Sequence, residues 1–144
     1  MSRLVFLPGL LCDGSLWRYQ VAHFASRVRC FVPAQDTHAD IRELAASLLA
    51  VSPPGPLALA GCSFGGYIAL EMLRQAGAAR VTHLALISSQ ARADTASVRE
   101  RRLAQIARAE REGLSSIIAE QLPLLLHPRQ LPLDVSAFVS ARPA

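Results

Sequence analysis

The strongest constraint on the fold is a regular alternation of short apolar runs with stretches of helical periodicity. Residues 4–7 form a continuous apolar run ended by Pro8, which is typical of a strand buried on both faces. Similar runs predict three more strands, at 28–32, 57–60 and 81–87. Because strands that alternate with helices form βαβ units, the sequence predicts an α/β fold, a parallel sheet with helices on both faces.

The helices are predicted from capping residues and from apolar spacing. Asp40 can cap a helix whose apolar residues recur every three or four positions, and Pro53 ends it. Other helical stretches are expected at 15–26, 64–76 and 95–112. Gly113 ends the last of these, and a more apolar helical stretch, interrupted at Pro123, covers 114–126. The chain therefore changes character after the fourth strand, with no further strand expected.

Charge and composition exclude two classes of partner. The formal net charge is +4, all 15 basic residues are arginines scattered along the chain, and aromatic residues make up only 6%. A nucleic-acid surface would need a denser basic stripe with aromatic residues beside it. No apolar run approaches the ~20 residues of a membrane span, and Pro8 and Gly9 interrupt the N-terminal run before it reaches signal-peptide length. We expect a soluble cytoplasmic protein that binds neither nucleic acid nor membranes.

The cysteine pattern predicts no metal site. Cys12, Cys30 and Cys62 are odd in number, form no CxxC motif and lack the Cys/His spacing of zinc sites. Such usage is ordinary for a reducing compartment. We expect neither a metal nor a cofactor.

The motif most informative about function is Gly61-Cys62-Ser63-Phe64-Gly65, a G-x-S-x-G sequence between the third strand and a helix. A serine at such a sharp turn projects its hydroxyl above the sheet, where it can act as a nucleophile. Only very small side chains at Gly61 and Gly65 let the strand and the helix approach so closely. The N-terminus of the following helix favours a developing oxyanion. The pattern predicts a nucleophile elbow.

A glycine-rich turn that binds a phosphate is the alternative interpretation of this motif. The sequence lacks the G-x-G-x-x-G pattern of dinucleotide sites and has no lysine for a P-loop, so the elbow is favoured. Cys62 is not expected to replace Ser63 as the nucleophile. The residue before the serine points into the protein, where a cysteine packs as a small apolar group.

A second feature lies where a nucleophile elbow requires it. The first strand runs into an L-P-G-L sequence at 7–10, and an oxyanion hole needs a backbone N–H from the loop after that strand. Together with the elbow, segments 4–17 and 60–67 closely resemble the α/β-hydrolase superfamily. The likeness is to compact bacterial esterase-like members that open with LPGLLCD…LW and carry G-x-S-x-G-G-Y, and it runs over the whole chain.

The resemblance implies site residues and a division of the chain. Ser63 would be the nucleophile, and the backbone N–H groups of Leu10 and Phe64 would form the oxyanion hole. Residues 1–90 would be the N-terminal half of an α/β-hydrolase core, truncated after the fourth strand. Residues 91–144 would be an incomplete helical lid.

A serine nucleophile also needs a base and an orienting acid. Resemblance to complete members places both in loops after later strands, in the chain order Ser, Asp or Glu, then His. They are therefore expected beyond residue 144, which would make the chain an N-terminal fragment. Loss of the later strands would leave the fourth strand as an apolar sheet edge, through which self-association or aggregation is expected.

The residues present offer no clear substitute for the missing base and acid. His23, His38 and His83 are expected to be structural, the last pointing into a helix layer, and His127 lies in the lid segment. Asp94, just past the fourth strand, has the best position for the acid, although a residue there more often caps the following helix.

The leading interpretation is a serine hydrolase that acts on a small-molecule carboxylic ester, or in second place an amide or thioester. The reaction would pass through an acyl-enzyme on Ser63 without metal or cofactor. Two alternatives stay open. One is a non-catalytic truncated homologue that serves as an interaction module, and the other is half of a split enzyme completed by a second chain.

Overall fold

The computed structural model describes residues 3–35 and 38–125. Within this part, four strands form one sheet: β1 (Arg3–Leu7), β2 (Arg29–Phe31), β3 (Leu57–Cys62) and β4 (Val81–Ile87). Their spatial order is β2-β1-β3-β4, and all neighbouring strands are parallel. The predicted α/β fold with a parallel sheet is confirmed, and β4 forms one edge of the described sheet.

A helical segment follows each strand. A short 3₁₀ helix, Gly14–Trp17, leads into the first of five helices: α1 (Arg18–Phe24), α2 (Ile41–Val51), α3 (Phe64–Ala76), α4 (Ala96–Glu112) and α5 (Leu114–Leu125), counted over the described residues. Asp40 caps α2 as predicted. Its carboxylate accepts the backbone N–H groups of Arg42 and Glu43 at 2.7 and 3.3 Å, which satisfies two donors that the first turn leaves free.

Helical segments cover both faces of the sheet. Successive residues of a strand point to opposite sides, so each strand contributes side chains to the core on either face. On one face, Val5 and Leu59 pack with α2 and α3. On the other face, their neighbours Phe6 and Ala60 pack with Trp17, and the ring centroids of Phe6 and Trp17 lie 4.8 Å apart. Since the strands are parallel, the carboxyl ends of β1, β3 and β4 meet at one edge of the sheet, where α/β proteins place their ligand sites.

Several elements differ from the sequence-based expectation. Strand β2 is shorter, and β3 continues beyond residue 60 because Gly61 and Cys62 still pair with β4. The helical stretch predicted at 15–26 is a 3₁₀ helix followed by α1, which ends at Phe24. Helix α5 is not interrupted at Pro123, although a proline there removes one backbone donor.

The chain divides into two compact units after Arg92. The first unit holds the sheet and helices α1 to α3. The second holds α4 and α5, which Arg108 connects by donating to the Ser116 carbonyl at 3.1 Å and pairing with the Glu120 carboxylate. A lid function for this second unit stays a prediction. None of the helices in the described ranges has the length and apolar character that a membrane span requires.

Candidate active site

Ser63 lies at the turn between β3 and α3, in a backbone conformation that few residues other than glycine adopt. Its φ and ψ angles are 51° and −114°, and it is the N-cap residue of α3. Its side chain is exposed and makes no capping hydrogen bond to the helix, so the hydroxyl is not used to satisfy the helix backbone. A conformation of this kind costs on the order of 1–3 kcal/mol and persists only where the surroundings enforce it.

The two glycines that flank Ser63 are needed for close backbone contact. A Cβ atom on Gly61 would lie 2.5 Å from the carbonyl carbon of Gly65 and 2.6 Å from the nitrogen of Gly66. A Cβ atom on Gly65 would lie 2.5 Å from the carbonyl oxygen of Pro8, at the end of β1. Real Cβ atoms essentially never make contacts this short. The strand end, the helix start and the loop after β1 therefore touch backbone to backbone, as the elbow hypothesis requires.

The loop after β1 passes directly beside the serine. A Cβ atom on Gly9 would lie 3.7 Å from the Cβ atom of Ser63. The loop turns back on itself there, because the Cys12 N–H donates to the Gly9 carbonyl at 3.1 Å and Leu11 has a φ of 60°. Leu10, whose N–H is the predicted second oxyanion donor, lies in this turn and has a side chain that is 65% exposed. The structure thus brings the loop and Ser63 together.

Phe64, which carries the other predicted oxyanion donor, is the first residue of α3. The first N–H groups of a helix have no partner within the helix, and they carry its positive partial charge. The Phe64 ring is half-buried and packs against the core between the sheet, α2 and α3. The side chain anchors the residue while its backbone N–H stays at the helix N-terminus beside Ser63.

The segment after β4 also contacts the serine, and no sequence pattern singled it out. The Ser63 N–H donates to the Ile87 carbonyl at 2.9 Å. The Ser89 hydroxyl donates to the Ser63 carbonyl, also at 2.9 Å. A Cβ atom on Gly66 would lie 2.5 Å from the Cβ atom of Ser89. The available signal was a polar pair, Ser88-Ser89, directly at the carboxyl end of a predicted parallel strand.

Cys62 contacts the core rather than the solvent-facing side of the turn. It packs against the cluster formed by Phe6, Trp17 and Ala60, and partial burial raises the pKa of its thiol. A raised pKa lowers the fraction of nucleophilic thiolate. The geometry therefore agrees with its expected place as a small apolar side chain.

His83 lies far from Ser63 along the sheet. His83 lies on β4 opposite Ala58, four residues before Ile87 and so roughly 13 Å further down the sheet. The expectation that it points into a helix layer is wrong, because the His83 side chain is exposed among the described residues. Its Nδ1 atom lies 3.1 Å from the Thr82 hydroxyl.

The other described histidines lie at the surface. His23 is exposed and packs edge-on against Phe24, and His38 is exposed as well. His127 lies outside the described residues. Across 3–35 and 38–125, no three His, Cys, Asp or Glu side chains cluster as metal ligands would.

Asp94 neither caps α4 nor stands free. The N-cap of α4 is Thr95, whose hydroxyl accepts the Val98 N–H at 3.4 Å. Asp94 instead pairs with Arg102, at 3.1 Å between carboxylate and guanidinium. The expectation of a capping Asp94 is therefore wrong by one residue, because Thr95 is the residue that immediately precedes the first helical turn.

Comparison with known proteins points to one family. Residues 21–137 match the sequence profile of the Thioesterase domain family. A thermophilic esterase from Thermogutta terrifontis is 22% identical with a TM-score of 0.74, over 96% of this chain and 56% of that chain. A carboxylesterase structure from the thaumarchaeon Nitrososphaera gargenis is 17% identical with a TM-score of 0.73, over 95% of this chain and 56% of that chain.

A third structural relative is MenH from S. aureus, which is 23% identical with a TM-score of 0.67, over 94% of this chain and 58% of that chain. At these identities the likeness shows a common fold. The chain spans little more than half the length of these relatives. No curated protein sequence matches it significantly.

Proposed function

Because the chain belongs to the Thioesterase domain family, whose members are α/β-hydrolase-type proteins, we propose that it provides the nucleophile of an acyl hydrolase. The substrate would be a carboxylic ester or thioester, and Ser63 would carry the acyl group. The observation that supports this most directly is the strained backbone of Ser63, with a φ of 51°, at a strand-to-helix turn packed backbone to backbone on both sides. Strain of this kind is concentrated at active sites.

The proposed reaction has two steps. The Ser63 hydroxyl oxygen attacks the substrate carbonyl carbon while a base removes the hydroxyl proton, and the N–H groups of Leu10 and Phe64 donate to the oxyanion that forms. The carbon–oxygen or carbon–sulfur bond then breaks, and the alcohol or thiol leaves with that proton. In the second step water attacks the acyl-serine ester, which releases the carboxylic acid and restores the Ser63 hydroxyl.

The base and the acid are proposed to come from outside the described residues. Within those residues His83 lies far down the sheet from Ser63, and Asp94 is paired with Arg102. The relatives extend well beyond the 56% of their length that this chain matches. We propose that the base and the acid occupy that additional part of the fold, whether it belongs to the same polypeptide or to a second one, as in a split enzyme.

The test is a fused protein in which the 144-residue chain is followed by the unmatched C-terminal part of the Thermogutta terrifontis esterase. We expect hydrolysis of p-nitrophenyl butyrate, butyryl-CoA or both, and its loss in Ser63→Ala. The 144-residue chain alone should not be labelled stoichiometrically on Ser63 by a fluorophosphonate, because the base is missing.

Ser47→Ala is the matched control, since Ser47 lies on α2 and its hydroxyl donates to the Leu44 carbonyl of the same helix, at 2.9 Å. It should retain full activity. A folded fusion in which Ser63→Ala hydrolyses as fast as the unmodified fusion would exclude Ser63 as the nucleophile. A folded fusion with no activity and no labelling of Ser63 would favour the non-catalytic alternative.

A further inference from the structure

The carbonyl oxygen of Ser63 accepts two hydrogen bonds from different parts of the chain. One comes from the Gly66 N–H, at 2.9 Å, within the first turn of α3. The other comes from the Ser89 hydroxyl, also at 2.9 Å, from the segment after β4. The Ser63 N–H, in turn, donates to Ile87 on β4 at 2.9 Å. The backbone groups on both sides of the strained residue are therefore bonded to the end of β4.

Two special backbone features allow Ser89 to reach this carbonyl. Ser88 adopts a φ of 48°, which turns the chain sharply after the last residue of β4. Gly66 has no Cβ atom, and one placed there would collide with both the Cβ and the hydroxyl oxygen of Ser89. A side chain at position 66 and a hydroxyl at position 89 thus exclude each other. The glycine after the elbow motif makes room for the serine.

The hydrogen bond from Ser89 acts on a single rigid group of atoms. The Ser63 carbonyl and the Phe64 N–H belong to the same peptide unit, which is planar and trans, so the two point in opposite directions. Fixing the direction of the carbonyl therefore fixes the direction of the N–H. A hydrogen bond to the carbonyl also polarises the peptide and strengthens its N–H as a donor.

We propose that Ser89 is a positioning residue, which holds the Ser63–Phe64 peptide so that the Phe64 N–H points at the oxyanion. The catalytic part of this inference rests on the proposed function, whereas the structural part concerns the chain itself. Ser89 contacts neither substrate nor the reacting oxygen in this scheme. It acts through the peptide that it holds.

The first experiment measures amide hydrogen exchange in the 144-residue chain. Ser89→Ala keeps the Cβ atom that packs at Gly66 and removes only the hydroxyl. We expect the Gly66 and Ser63 amides to exchange about tenfold faster in this variant. The Ser63 carbonyl, to which the Gly66 N–H donates, has then lost one of its two hydrogen bonds, and the turn that carries the Ser63 N–H is held less firmly. Ser47→Ala removes a hydroxyl-to-carbonyl bond of the same 2.9 Å length on α2 and should leave these amides unchanged. Unchanged exchange in Ser89→Ala would overturn the proposal, whether or not the fused enzyme is active.

The second experiment measures kinetics in the fused enzyme. Ser89→Ala should lower kcat about tenfold with KM unchanged, less than the ~100- to 1,000-fold loss that follows removal of an oxyanion donor. A merely structural serine would lower the unfolding temperature without this separation of kcat from KM. Faster exchange with an unchanged kcat would therefore overturn the positioning function. An inactive fusion contradicts the proposed function, and hydrogen exchange then decides on Ser89 alone.

A pair of variants separates the space that Ser89 fills from the bond that it makes. Gly66→Ala should be poorly folded, because its Cβ collides with Ser89. Adding Ser89→Gly removes the collision, but the double variant still lacks the Ser89 hydroxyl. It should therefore fold and show the same lowered kcat as Ser89→Ala. A double variant with full kcat would show that the hydroxyl positions nothing.

Discussion

At the scale of single residues, Ser63 is held in an unfavourable backbone conformation by atoms from three strands. It directly follows β3, and its N–H donates to the Ile87 carbonyl on β4. Gly65, two residues later, lets the backbone of α3 contact the backbone at the end of β1. These three contacts are made by backbone atoms, and the Ser89 hydroxyl adds a side-chain hydrogen bond to the Ser63 carbonyl. The Ser63 hydroxyl is left exposed while the backbone around it is fixed from all sides.

The contact at Gly65 makes the first prediction at this scale. Gly65→Ala would place a Cβ atom against the carbonyl oxygens of Leu7 and Pro8, which are backbone and cannot move away cheaply. We expect a loss of about 3 kcal/mol of unfolding free energy, the upper end of the range for overpacked sites. Chemical denaturation of the variant beside the unmodified chain measures it.

Gly14→Ala is the matched control for this substitution. Like Gly65, Gly14 has no positive φ, and a Cβ atom there would lie 3.6 Å from the Val32 side chain, an ordinary van der Waals contact. Alanine at position 14 should therefore cost little. A loss in Gly65→Ala no larger than that in Gly14→Ala would contradict the collision with β1.

At the scale of elements, the first turn of α3 forms part of the candidate active site, and an ion pair lies near the C-terminus of the same helix. Arg74 donates two hydrogen bonds to the Glu71 carboxylate, at 2.7 and 2.6 Å, and Gln75 donates a third at 2.9 Å. Gln75 also reaches the Arg42 carbonyl of α2 at 2.9 Å, so the same side chains connect two packed helices. The C-terminal half of α3 is thereby fixed against α2.

This cluster predicts a pH dependence of stability. Hydrogen bonds from Arg74 and then Gln75 lower the pKa of Glu71 to about 2, below the 4.5 of a free glutamate. A carboxylate whose pKa is lowered on folding stabilises the folded chain above its unfolded pKa, and that contribution is lost as the pH falls through the folded pKa. The stabilisation should be complete at pH 7 and disappear between pH 4.5 and pH 2.

Glu71→Gln is the variant that tests this. Its unfolding free energy should be lower than that of the unmodified chain at pH 7, and the difference should shrink as the pH falls below 4.5. Arg111→Gln is a suitable control, because its guanidinium lies 3.5 Å from Glu112 on an exposed face and should contribute little. A difference for Glu71→Gln that is constant from pH 7 to pH 2 would contradict the assignment.

Most elements follow from local patterns in the sequence, and two of the errors occur where distant parts of the chain decide. Asp40 and the apolar spacing of α2 predict that helix, since capping and periodicity act within a few residues. Ser89 escaped prediction because its partner lies 26 residues away and no local rule connects them. His83 was misplaced for a related reason: the exposure of β4 depends on which helices pack against it, and a strand pattern does not carry that information.

At the scale of the whole molecule, the described sheet ends at β4, whose outer edge is not paired within the described residues. Leu86 and Ile87 on this strand are 37% and 41% exposed. A long apolar edge strand is a ready template for pairing with another strand. We propose that isolated chains associate through β4.

The corresponding prediction concerns the 144-residue chain at micromolar concentration. We expect sedimentation velocity to show dimers or larger species, and Ala85→Lys, which places a charge on the exposed edge strand, to shift them towards monomer. A lysine at Ala46, on α2, would add the same charge away from the edge and should not have this effect. A monodisperse monomer with a sharp, cooperative thermal transition would rule out association through the edge.

The strand order also determines when the serine turn can form during synthesis. β1 is made first, but in the sheet it pairs with β2 and with β3, and Arg3 faces Leu57 across the central ladder. Pairings between such distant residues form slowly, because the entropy of closing a long loop is lost before the strand contacts stabilise the pair. The bonds that join the Ser63 backbone to Ile87 and Ser89 form only once those residues have left the ribosome and β4 has joined β3. A nascent chain therefore pairs all four described strands before it fully fixes the strained serine, and the serine turn is among the last parts of the first unit to become rigid.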